Sequence, residues 1–421
     1  MPSIKLGSIP ENSYSDYRYN VIFKAYKWDP QVEDYSTISN HVVLMPREIA
    51  IELESLAEKL SEETMKMEAL LVKKPELAKK LGLPKEIYRT LGRLSDYNPR
   101  QHIRLMRFDF HPTTTGWAVS EVNSDVPGGL AEASVLPQIA ECYFEGYEPR
   151  KNVADSLLKA FQDQIGQSGR LAFVHATSYS DDRQVMQFLS DYLTAKGYSS
   201  VMAAPDHIRW INKKAVSIVE GCEGPVDGII RFFPLEWLVN LPGKSNWQAY
   251  YDGTTPACNP PSAIFAQSKR LPLIWDELEL PLPVWKALLP ETVEPGSQKF
   301  KGKATDAEWI YKPALGRVGE GISIKEAITA KELKQIEKSA RRYPKNWLLQ
   351  RRFNSLPITC EKGDAYHLCI GVFTVNGKCA GFYGRTSPQP RIDAKAKDIP
   401  VLVSKSYLKE GITNEGQPGN L

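Results

Sequence analysis

The stretch RFDFHPTTTGWAVSEVNSD, residues 107–125, is the segment of the chain from which both local structure and chemistry can be inferred. Extended segments rich in aromatic and β-branched residues flank the turn-forming PTTTG, which predicts a strand, a turn and a second strand. Three side chains with hard oxygen donors occupy this hairpin, namely Asp109, Glu121 and Asn123. Residues two apart in a strand point to the same face, so Glu121 and Asn123 project together, and antiparallel pairing can bring Asp109 beside them.

These donors predict a magnesium site. Two carboxylates and a carboxamide oxygen suit Mg²⁺, which takes oxygen ligands in octahedral geometry. The ion usually keeps several waters and also coordinates substrate phosphates. The alternative interpretation is a set of polar residues on the surface of an ordinary hairpin. The spacing is therefore evidence for a magnesium site only if a second, independent signal points to phosphate binding.

The composition is that of a globular protein without a strong charge imbalance. The 421 residues are 42% hydrophobic and 24% charged, and 53 basic side chains balance 50 acidic ones to give a net charge of +3. The length predicts two or three domains, and the even charge gives no case for a nucleic-acid or membrane partner. No apolar run reaches the roughly 18 residues of a membrane span, and the N-terminus lacks a signal-peptide pattern, so the chain is predicted to be cytoplasmic.

The N-terminal part, residues 1–165, carries the hairpin and is predicted to be rich in helix. A helix is expected to begin at Pro46, a residue suited to the first helical position. Its apolar face is formed by Ile49, Leu53, Leu56 and Leu60. The segment 63–94, rich in lysine and glutamate, is interpreted as a solvated helical arm.

Residues 166–258 are predicted to form a βαβ lobe that binds the acceptor substrate. The run LAFVHATS, a helix that stops at Gly197 and the run SSVMAA follow one another within some thirty residues, and this order implies a parallel sheet. Asp181, Asp182 and Glu236 are candidates for holding a substrate amine. The alternative for each is a helix cap or a contact at the edge of the core.

A proline- and glycine-rich stretch near residue 260 marks a boundary, beyond which residues 259–421 are expected to form nucleotide-binding lobes with a glycine-rich lid. We expect the strand WIYKP, a glycine-rich turn, the strand ISIK, a helix over roughly 330–341 and the strand WLLQRRF. Two further apolar runs joined by Asn376 and Gly377 predict a hairpin.

The segment KPALGRVGEG, residues 312–321, is predicted to form a flap between two strands. Its glycines and cations are Gly316, Gly319, Gly321, Lys312 and Arg317. The glycines would let backbone N–H groups approach phosphate oxygens, and the cations would add positive charge. The alternative is a flexible hairpin that merely needs glycine. A turn between two strands does not provide the helix N-terminus that holds a pyrophosphate, which excludes a nicotinamide oxidoreductase.

Two more positions are candidates for nucleotide binding. Lys269 opens a helix-like stretch after a proline-rich entry and is either a phosphate ligand or a surface lysine. An apolar strand closes with Gln350, Arg351, Arg352 and Phe353. This strand end is either a set of backbone groups that meets an adenine edge or an ordinary strand terminus.

Seven collinear blocks of the chain resemble the glutathionylspermidine synthase family, ATP-grasp ligases of circularly permuted order. The blocks include SEVNSDVPGGLAEAS, NPPSAIFAQSKRLPLIWDEL and WIYKPALGRVGEGISI, and they lie at residues 107–134, 177–198, 231–238, 259–278, 309–324, 347–358 and 370–387. The resemblance implies an α/β (α+β) fold, a circularly permuted ATP-grasp fold with a βαβ lobe of the preATP-grasp kind. Permutation explains why Glu121 and Asn123 precede Lys269 and Lys312.

The resemblance also implies roles for single residues. The positions that match the family's Mg²⁺ ligands are Asp109, Glu121 and Asn123. The positions that match its phosphate ligands are Lys269, Lys312 and Arg317, and those that match its adenine hinge are Gln350 to Phe353. Arg107 matches the arginine that faces the reacting carboxylate and the γ-phosphate, and Arg385 matches an arginine near the reaction centre.

The family's chemistry implies ATP and Mg²⁺ as cofactors, and a small-molecule or peptide carboxylate and an amine as substrates. ATP would convert the carboxylate to an acyl phosphate, and the amine would displace phosphate to form an amide. Val126 and Gly128 replace small hydroxylated residues of the family, and threonine instead of glutamate follows Arg385, so a substrate pair other than glutathione and spermidine is expected. The alternative is a non-catalytic ATP-binding member that acts as a partner or regulator.

Overall fold

The computed structural model describes residues 3–94, 97–297, 308–316 and 321–405. The hairpin predicted within residues 107–125 is present and forms one edge of a six-stranded sheet, called the central sheet. Across the central sheet run Lys397–Ile399, Lys378–Ser387, Ala365–Val375, Leu105–Thr113 and Gly116–Asn123, with Pro357–Thr359 paired to Ala365–Val375. All of these pairings are antiparallel. The hairpin strands therefore share a sheet with the C-terminal part of the chain.

A β-bulge lies in the hairpin where its polar side chains cluster. The register pairs Phe108 with Val122 and Phe110 with Val119, so Asp109 faces two residues of the partner strand, Ser120 and Glu121. A bulge of this kind re-aims side chains. Both Ser120 and Glu121 consequently face the same cavity as Asp109, whereas the two phenylalanines are buried in the core.

The predicted βαβ lobe is confirmed. Its sheet, called the parallel sheet, has the order Ala257–Cys258, Gly228–Arg231, Arg170–Val174 and Ser199–Ala203, and each neighbouring pair is parallel. The helix Ser180–Thr194 connects Arg170–Val174 to Ser199–Ala203 and buries Val185, Phe188, Leu189 and Leu193 against the sheet. The helical crossover that the sequence pattern indicates thus makes these two strands parallel.

Smaller sheets and the remaining helices complete the architecture. A four-stranded sheet has the order Lys5–Ser8, His41–Met45, Val401–Ser404 and Tyr147–Glu148. One three-stranded sheet has the order Thr292–Val293, Trp347–Arg351 and Trp309–Pro313. Another has the order Ile208–Ile211, Lys214–Ser217 and Gly224–Pro225. A short hairpin pairs Gln31–Val32 with Tyr35–Ser36. The other α-helices are Tyr14–Lys24, Arg47–Lys73, Lys85–Leu91, Leu130–Ala140, Val153–Ile165, Ala249–Asp252, Ala263–Gln267, Trp275–Leu278, Pro283–Leu288 and Ala330–Arg342.

The helix predicted from Pro46 runs over Arg47–Lys73, with Pro46 as its N-cap, and the expectation of a solvated arm after residue 63 is wrong. Met67 and Leu71 are fully buried in the core that also contains the apolar face of the central sheet. The acidic residues of this part of the helix are buried with partners. Glu68 forms an ion pair of 2.6 Å with Arg104, so a charged composition did not mean a solvated surface here.

Most of the helices and strands predicted for the C-terminal part are present. The strand Trp309–Pro313, the helix Ala330–Arg342 and the hairpin with Asn376 and Gly377 at positive φ are present. The expected strand over residues 322–325 is wrong, because an irregular segment and the 3₁₀ helix Lys325–Ala327 follow the glycine-rich stretch. A single backbone hydrogen bond, from Ser323 N to Tyr311 O at 3.2 Å, joins this segment to the preceding strand.

His102 should make the fold sensitive to acid. Its ring stacks on Tyr97 with 5.8 Å between centroids, its Nδ1 accepts a hydrogen bond from Ala257 N, and burial lowers its pKa from 6.5 to about 4. Between these two pH values the unfolded chain binds a proton at this histidine and the folded chain does not. This residue alone should therefore reduce the free energy of unfolding by about 3 kcal/mol as the pH falls to 4.

The measurement is urea unfolding of the wild-type chain and of His102→Asn at neutral pH and near pH 4. Asparagine can still accept the hydrogen bond but does not titrate, so the variant should lose less stability on acidification. The exposed His207, replaced by asparagine, is the matched control and should behave as the wild type. Equal acid sensitivity of His102→Asn and the wild type would contradict the prediction.

Candidate active site

A cavity of about 540 Å³ collects most of the side chains that the sequence singled out. It receives residues from the hairpin, from the strands Trp309–Pro313 and Lys378–Ser387 and from the first turns of two helices, Leu130–Ala140 and Ser180–Thr194. The predicted site residues that line it are Arg107, Asp109, Glu121, Asn123, Asp181, Asp182, Lys312, Arg352, Phe353 and Arg385. Groups that are distant in the sequence therefore share one space.

Arg107 and Asp109 form a bidentate pair at the base of this cavity. Arg107 Nε lies 2.7 Å from Asp109 Oδ1, and its Nη2 lies 2.9 Å from Oδ2. Asn123 Nδ2 donates a further hydrogen bond of 3.0 Å to Asp109 Oδ2. Gly371 lies opposite Asp109 in the central sheet, and a Cβ there would come within 2.7 Å of Arg107 Cδ. The side chain of Arg107 thus occupies the space that a side chain at Gly371 would fill.

Glu121 is held between two lysines. Its Oε2 lies 2.9 Å from Lys269 Nζ, which also donates a hydrogen bond of 2.5 Å to the carbonyl of Gly316. Burial alone would raise the pKa of Glu121, but the charges of Lys269 and Lys312 lower it to about 2. Burial lowers the pKa of Lys312 to about 8, and its Nζ donates to the carbonyl of Ser120 at 3.2 Å. These groups form a charged cluster with little access to water.

The donor chemistry of the hairpin fits Mg²⁺. Within the described ranges, no group of three or more His, Cys, Asp and Glu side chains is arranged to hold a metal by itself. The hairpin offers two carboxylates and one carboxamide, and such a partial set suits an ion that takes its remaining ligands from phosphates and water. Each carboxylate is paired with a cation, so the positive charges that phosphate oxygens need are already adjacent.

The predicted nucleotide hinge is only partly open to the cavity. The backbone N–H groups of Arg351 and Arg352 donate to the carbonyls of Glu291 and Glu308 at 2.8 and 2.6 Å. Gln350 is buried beside a second, smaller pocket of about 30 Å³, which Lys269 and Glu121 also line. Arg352 and Phe353 reach the main cavity, and Arg351 instead lies over the ring of Trp309.

The glycine-rich stretch is described at its two ends. Gly316 accepts the hydrogen bond from Lys269, and Gly321 has a positive φ of 68°. Arg317 and Gly319 lie outside the described residues.

The three amine-binding candidates separate in the structure. Asp181 and Asp182 lie at the start of the helix Ser180–Thr194 and line the cavity, where Asp181 accepts a hydrogen bond of 3.1 Å from Gln184. Glu236 is 7% exposed and does not belong to the cavity lining. The 3₁₀ helix Leu235–Asn240 presents Trp237 to the cavity instead, so a role of Glu236 in binding the amine stays a prediction.

Apart from Arg385, two groups of cavity residues were not among the predicted site residues. His111 stands two residues after Asp109 and follows the same alternation, so the strand periodicity could have found it. Its Nε2 lies 3.0 Å from Ser120 Oγ, its ring lies 5.1 Å from that of Phe353, and burial and Lys312 lower its pKa to about 3. His111 is therefore uncharged at neutral pH.

The second group is a wall of the cavity formed by Lys27, Glu132, Tyr383, Arg385 and Asp398 and called the ion-pair wall. Lys27 Nζ lies 2.8 Å from Glu132 Oε1 and 2.7 Å from Asp398 Oδ2. Tyr383 donates to Asp398 Oδ1 at 2.6 Å, and Arg385 Nε lies 3.9 Å from the same oxygen. No sequence motif links these positions, because they come from three distant parts of the chain.

Comparison with known proteins supports the fold suggested by the sequence. The sequence model described as glutathionylspermidine synthase preATP-grasp matches residues 13–404. A glutathione synthetase-like effector from Globodera pallida in its apo form is similar with a TM-score of 0.57 and 12% identity, over 86% of this chain and 89% of its own. A candidate gamma-glutamylcysteine synthetase from Methylobacillus flagellatus reaches a TM-score of 0.42 at 12% identity, over 80% of this chain and 86% of its own.

No curated protein matches the chain in sequence. The mixed α/β fold with a preATP-grasp lobe is confirmed by the family match and by the first of these structures. Among the described residues, no helix combines the length and the apolar character that crossing a bilayer requires.

Gly371→Ala tests whether Arg107 needs the space that the glycine leaves free. The methyl group would collide with Arg107 in a strand whose backbone otherwise accepts alanine, so the guanidinium should move and the pair with Asp109 should weaken. We expect the free energy of unfolding to fall by about 1 to 3 kcal/mol in urea titrations. Gly243→Ala, where nothing lies within 4 Å of the added Cβ, is the control. A Gly371→Ala protein as stable as the control would refute this account.

Proposed function

Because this chain belongs to the glutathionylspermidine synthase family, we propose that it is an ATP-dependent carboxylate–amine ligase that releases ADP. One observation carries the proposal. The carboxylates of Asp109 and Glu121 meet Arg107, Lys269 and Lys312 at one buried cluster, although the lysines come from a distant part of the chain. A site for phosphates and a divalent cation needs this combination of hard oxygen donors and fixed positive charge.

Asp109, Glu121 and Asn123 would hold Mg²⁺ in this proposal. The ion would supply Lewis-acid stabilisation of the charge on the phosphate oxygens. Lys269 and Lys312 would exchange their present carboxylate and carbonyl partners for phosphate oxygens, and Arg317 would add a further cation. Gln350, Arg351, Arg352 and Phe353 would border the adenine.

The proposed reaction needs no nucleophilic side chain. An oxygen of the substrate carboxylate attacks the γ-phosphorus, the bond to the bridging oxygen breaks, and ADP leaves with the electron pair. The amine then attacks the acyl carbon, and phosphate leaves as the C–N bond forms. Arg107 and Arg385 both line the cavity and would hold the reacting carboxylate between them.

Positioning and charge compensation would supply most of the rate enhancement. Lys312 is 3% exposed, so water contributes little screening around it. Preorganised charges in such a site stabilise a transition state more strongly than the same charges in water. An acyl phosphate also hydrolyses readily, and a cavity with restricted access to water favours aminolysis over hydrolysis.

The substrate pair would differ from that in the family's name. Val126 and Gly128 line the cavity without hydroxyl groups, and Phe232 lies against Gly128 at 3.9 Å from the position of an added Cβ. Val185 and Trp237 extend this apolar surface. An acyl donor with an apolar part facing these residues fits this apolar surface better than a polar peptide that needs hydroxyl partners.

Lys312→Ala and Glu121→Ala test the proposed phosphate site. Each removes one charge of the cluster, and removal of one such group typically costs about two decades in rate. The assay is ADP release over pooled carboxylic acids (amino acids, short aliphatic acids and small peptides including glutathione) with pooled amines (ammonia, glycine, putrescine and spermidine). The wild type should release ADP fastest with both pools together, and each variant should lose about 99% of this rate.

Lys331→Ala is the matched control, because Lys331 is an exposed lysine on the helix Ala330–Arg342. It should keep the wild-type rate. Circular dichroism and thermal unfolding establish that the variants are folded. Full ADP release by either site variant would show that the site is assigned wrongly. Calorimetric ATP binding by the wild type without ADP release in any pool would favour a non-catalytic ATP-binding protein.

A further inference from the structure

Glu132 is a carboxylate of the ion-pair wall with an unused hydrogen-bond acceptor. It lies in the first turn of the helix Leu130–Ala140, lines the cavity and is 8% exposed. Its Oε1 accepts a hydrogen bond of 2.8 Å from Lys27 Nζ. Its Oε2 is buried and accepts no hydrogen bond from the part of the chain that the structure describes.

A buried acceptor of this kind is unusual in a folded protein. Most buried polar atoms are hydrogen-bonded, because an unsatisfied one keeps the cost of its desolvation. The cost is higher for an ionised carboxylate than for a neutral group. Since Glu132 borders the cavity, a donor on a bound molecule can satisfy Oε2 where the protein does not.

Two connections join Glu132 to the arginines proposed to hold the reacting carboxylate. Lys27 Nζ bridges Glu132 to Asp398, and Asp398 Oδ1 lies 3.9 Å from Arg385 Nε. Arg107 Nη1 donates a hydrogen bond of 2.6 Å to the carbonyl of the residue four positions before Glu132. The free acceptor therefore belongs to the same wall as the groups at the proposed reaction centre.

The charges of the wall are balanced, but its hydrogen-bond acceptors are not all used. Burial would lower the pKa of Lys27, but Asp398 and Glu132 raise it well above its ordinary value, so Lys27 stays charged. Lys27 is shared by the two carboxylates, and Arg385 adds a second cation beside Asp398. Asp398 receives an additional hydrogen bond from Tyr383, whereas Glu132 receives no second donor from the described residues. The acceptor that stays unused is therefore Glu132 Oε2, and a bound N–H donor can use it.

Resting on the proposed ligase function, we propose that Glu132 Oε2 binds the attacking amine of the second substrate and takes its proton. An ammonium ion enters as the donor that Oε2 lacks and gives one proton to the carboxylate. The nitrogen lone pair then forms the C–N bond to the acyl carbon, and the C–O bond to phosphate breaks with its electron pair on the phosphate. The second proton of the nitrogen passes to the departing phosphate.

Glu132→Gln tests this assignment. The amide oxygen can still accept the hydrogen bond from Lys27, but the amide can neither bind an ammonium ion as a counter-charge nor take a proton. General base catalysis typically contributes about 10² to 10⁴ in rate. With the pooled acids and ATP, we expect kcat/KM for ammonia, glycine or putrescine, whichever the wild type uses, to fall at least about 100-fold.

Hydroxylamine is the second probe, because it is an uncharged nucleophile at neutral pH and does not need to be deprotonated first. Hydroxylamine-dependent ADP release by Glu132→Gln should stay close to the wild-type rate. Glu141→Gln is the matched control, since Glu141 directly follows the same helix and pairs with Lys405 at 3.7 Å outside the cavity. It should keep both activities.

The outcomes separate this assignment from the proposed function. Wild-type ADP release together with unchanged amine-dependent activity in Glu132→Gln overturns the role of Glu132 alone. Equal loss of the amine-dependent and hydroxylamine-dependent activities assigns Glu132 a structural role and also overturns it. Absence of ADP release by the wild type in every pool overturns the ligase function, and the role of Glu132 with it.

Discussion

The candidate site depends on the antiparallel pairing of the strand Leu105–Thr113 with the strand Ala365–Val375. These strands are far apart in the sequence, and their register places Gly371 opposite Asp109. The absent side chain leaves room for Arg107, whose guanidinium holds the carboxylate of Asp109 by two hydrogen bonds. A slip of one residue would turn this pair to the core face, where two phenylalanines now pack, so burial of that face fixes the register.

Charge compensation is the second constraint on the site. Buried charges are costly unless they are paired, and the cavity meets this requirement with three sets of opposite charges. The pairs are Arg107 with Asp109, Lys269 with Glu121, and Lys27 with Asp398 and Glu132. A ligand that brings phosphates, a metal ion and an ammonium group would exchange partners with these pairs rather than introduce uncompensated charge. In the proposed reaction, the charges of the site would therefore stay compensated when such a ligand binds.

The polar segment that follows the hairpin connects the hairpin side of the cavity with the parallel sheet. Asp125 forms a fully buried ion pair with Arg231 and accepts a hydrogen bond of 2.8 Å from Leu235 N. Gln267 accepts hydrogen bonds of 2.9 Å from the backbone N–H groups of Ser124 and Asp125. The hairpin, the strand that ends at Arg231 and the segment that leads to Lys269 are consequently held in contact with one another. Such support keeps groups from different parts of the chain in register.

Local patterns in the sequence are sufficient to predict the hairpin, the βαβ unit and the Asn-Gly turn, because strand and helix periodicities and turn chemistry act over a few residues. The resemblance to a known family added the fold class. Three features become visible only in the folded structure: the bulge brings Ser120 to the cavity, Glu236 lies outside the cavity lining, and Lys27, Glu132 and Asp398 form one wall. These arrangements depend on pairing and burial between segments distant in the chain, and no short pattern of residues encodes which distant segments meet.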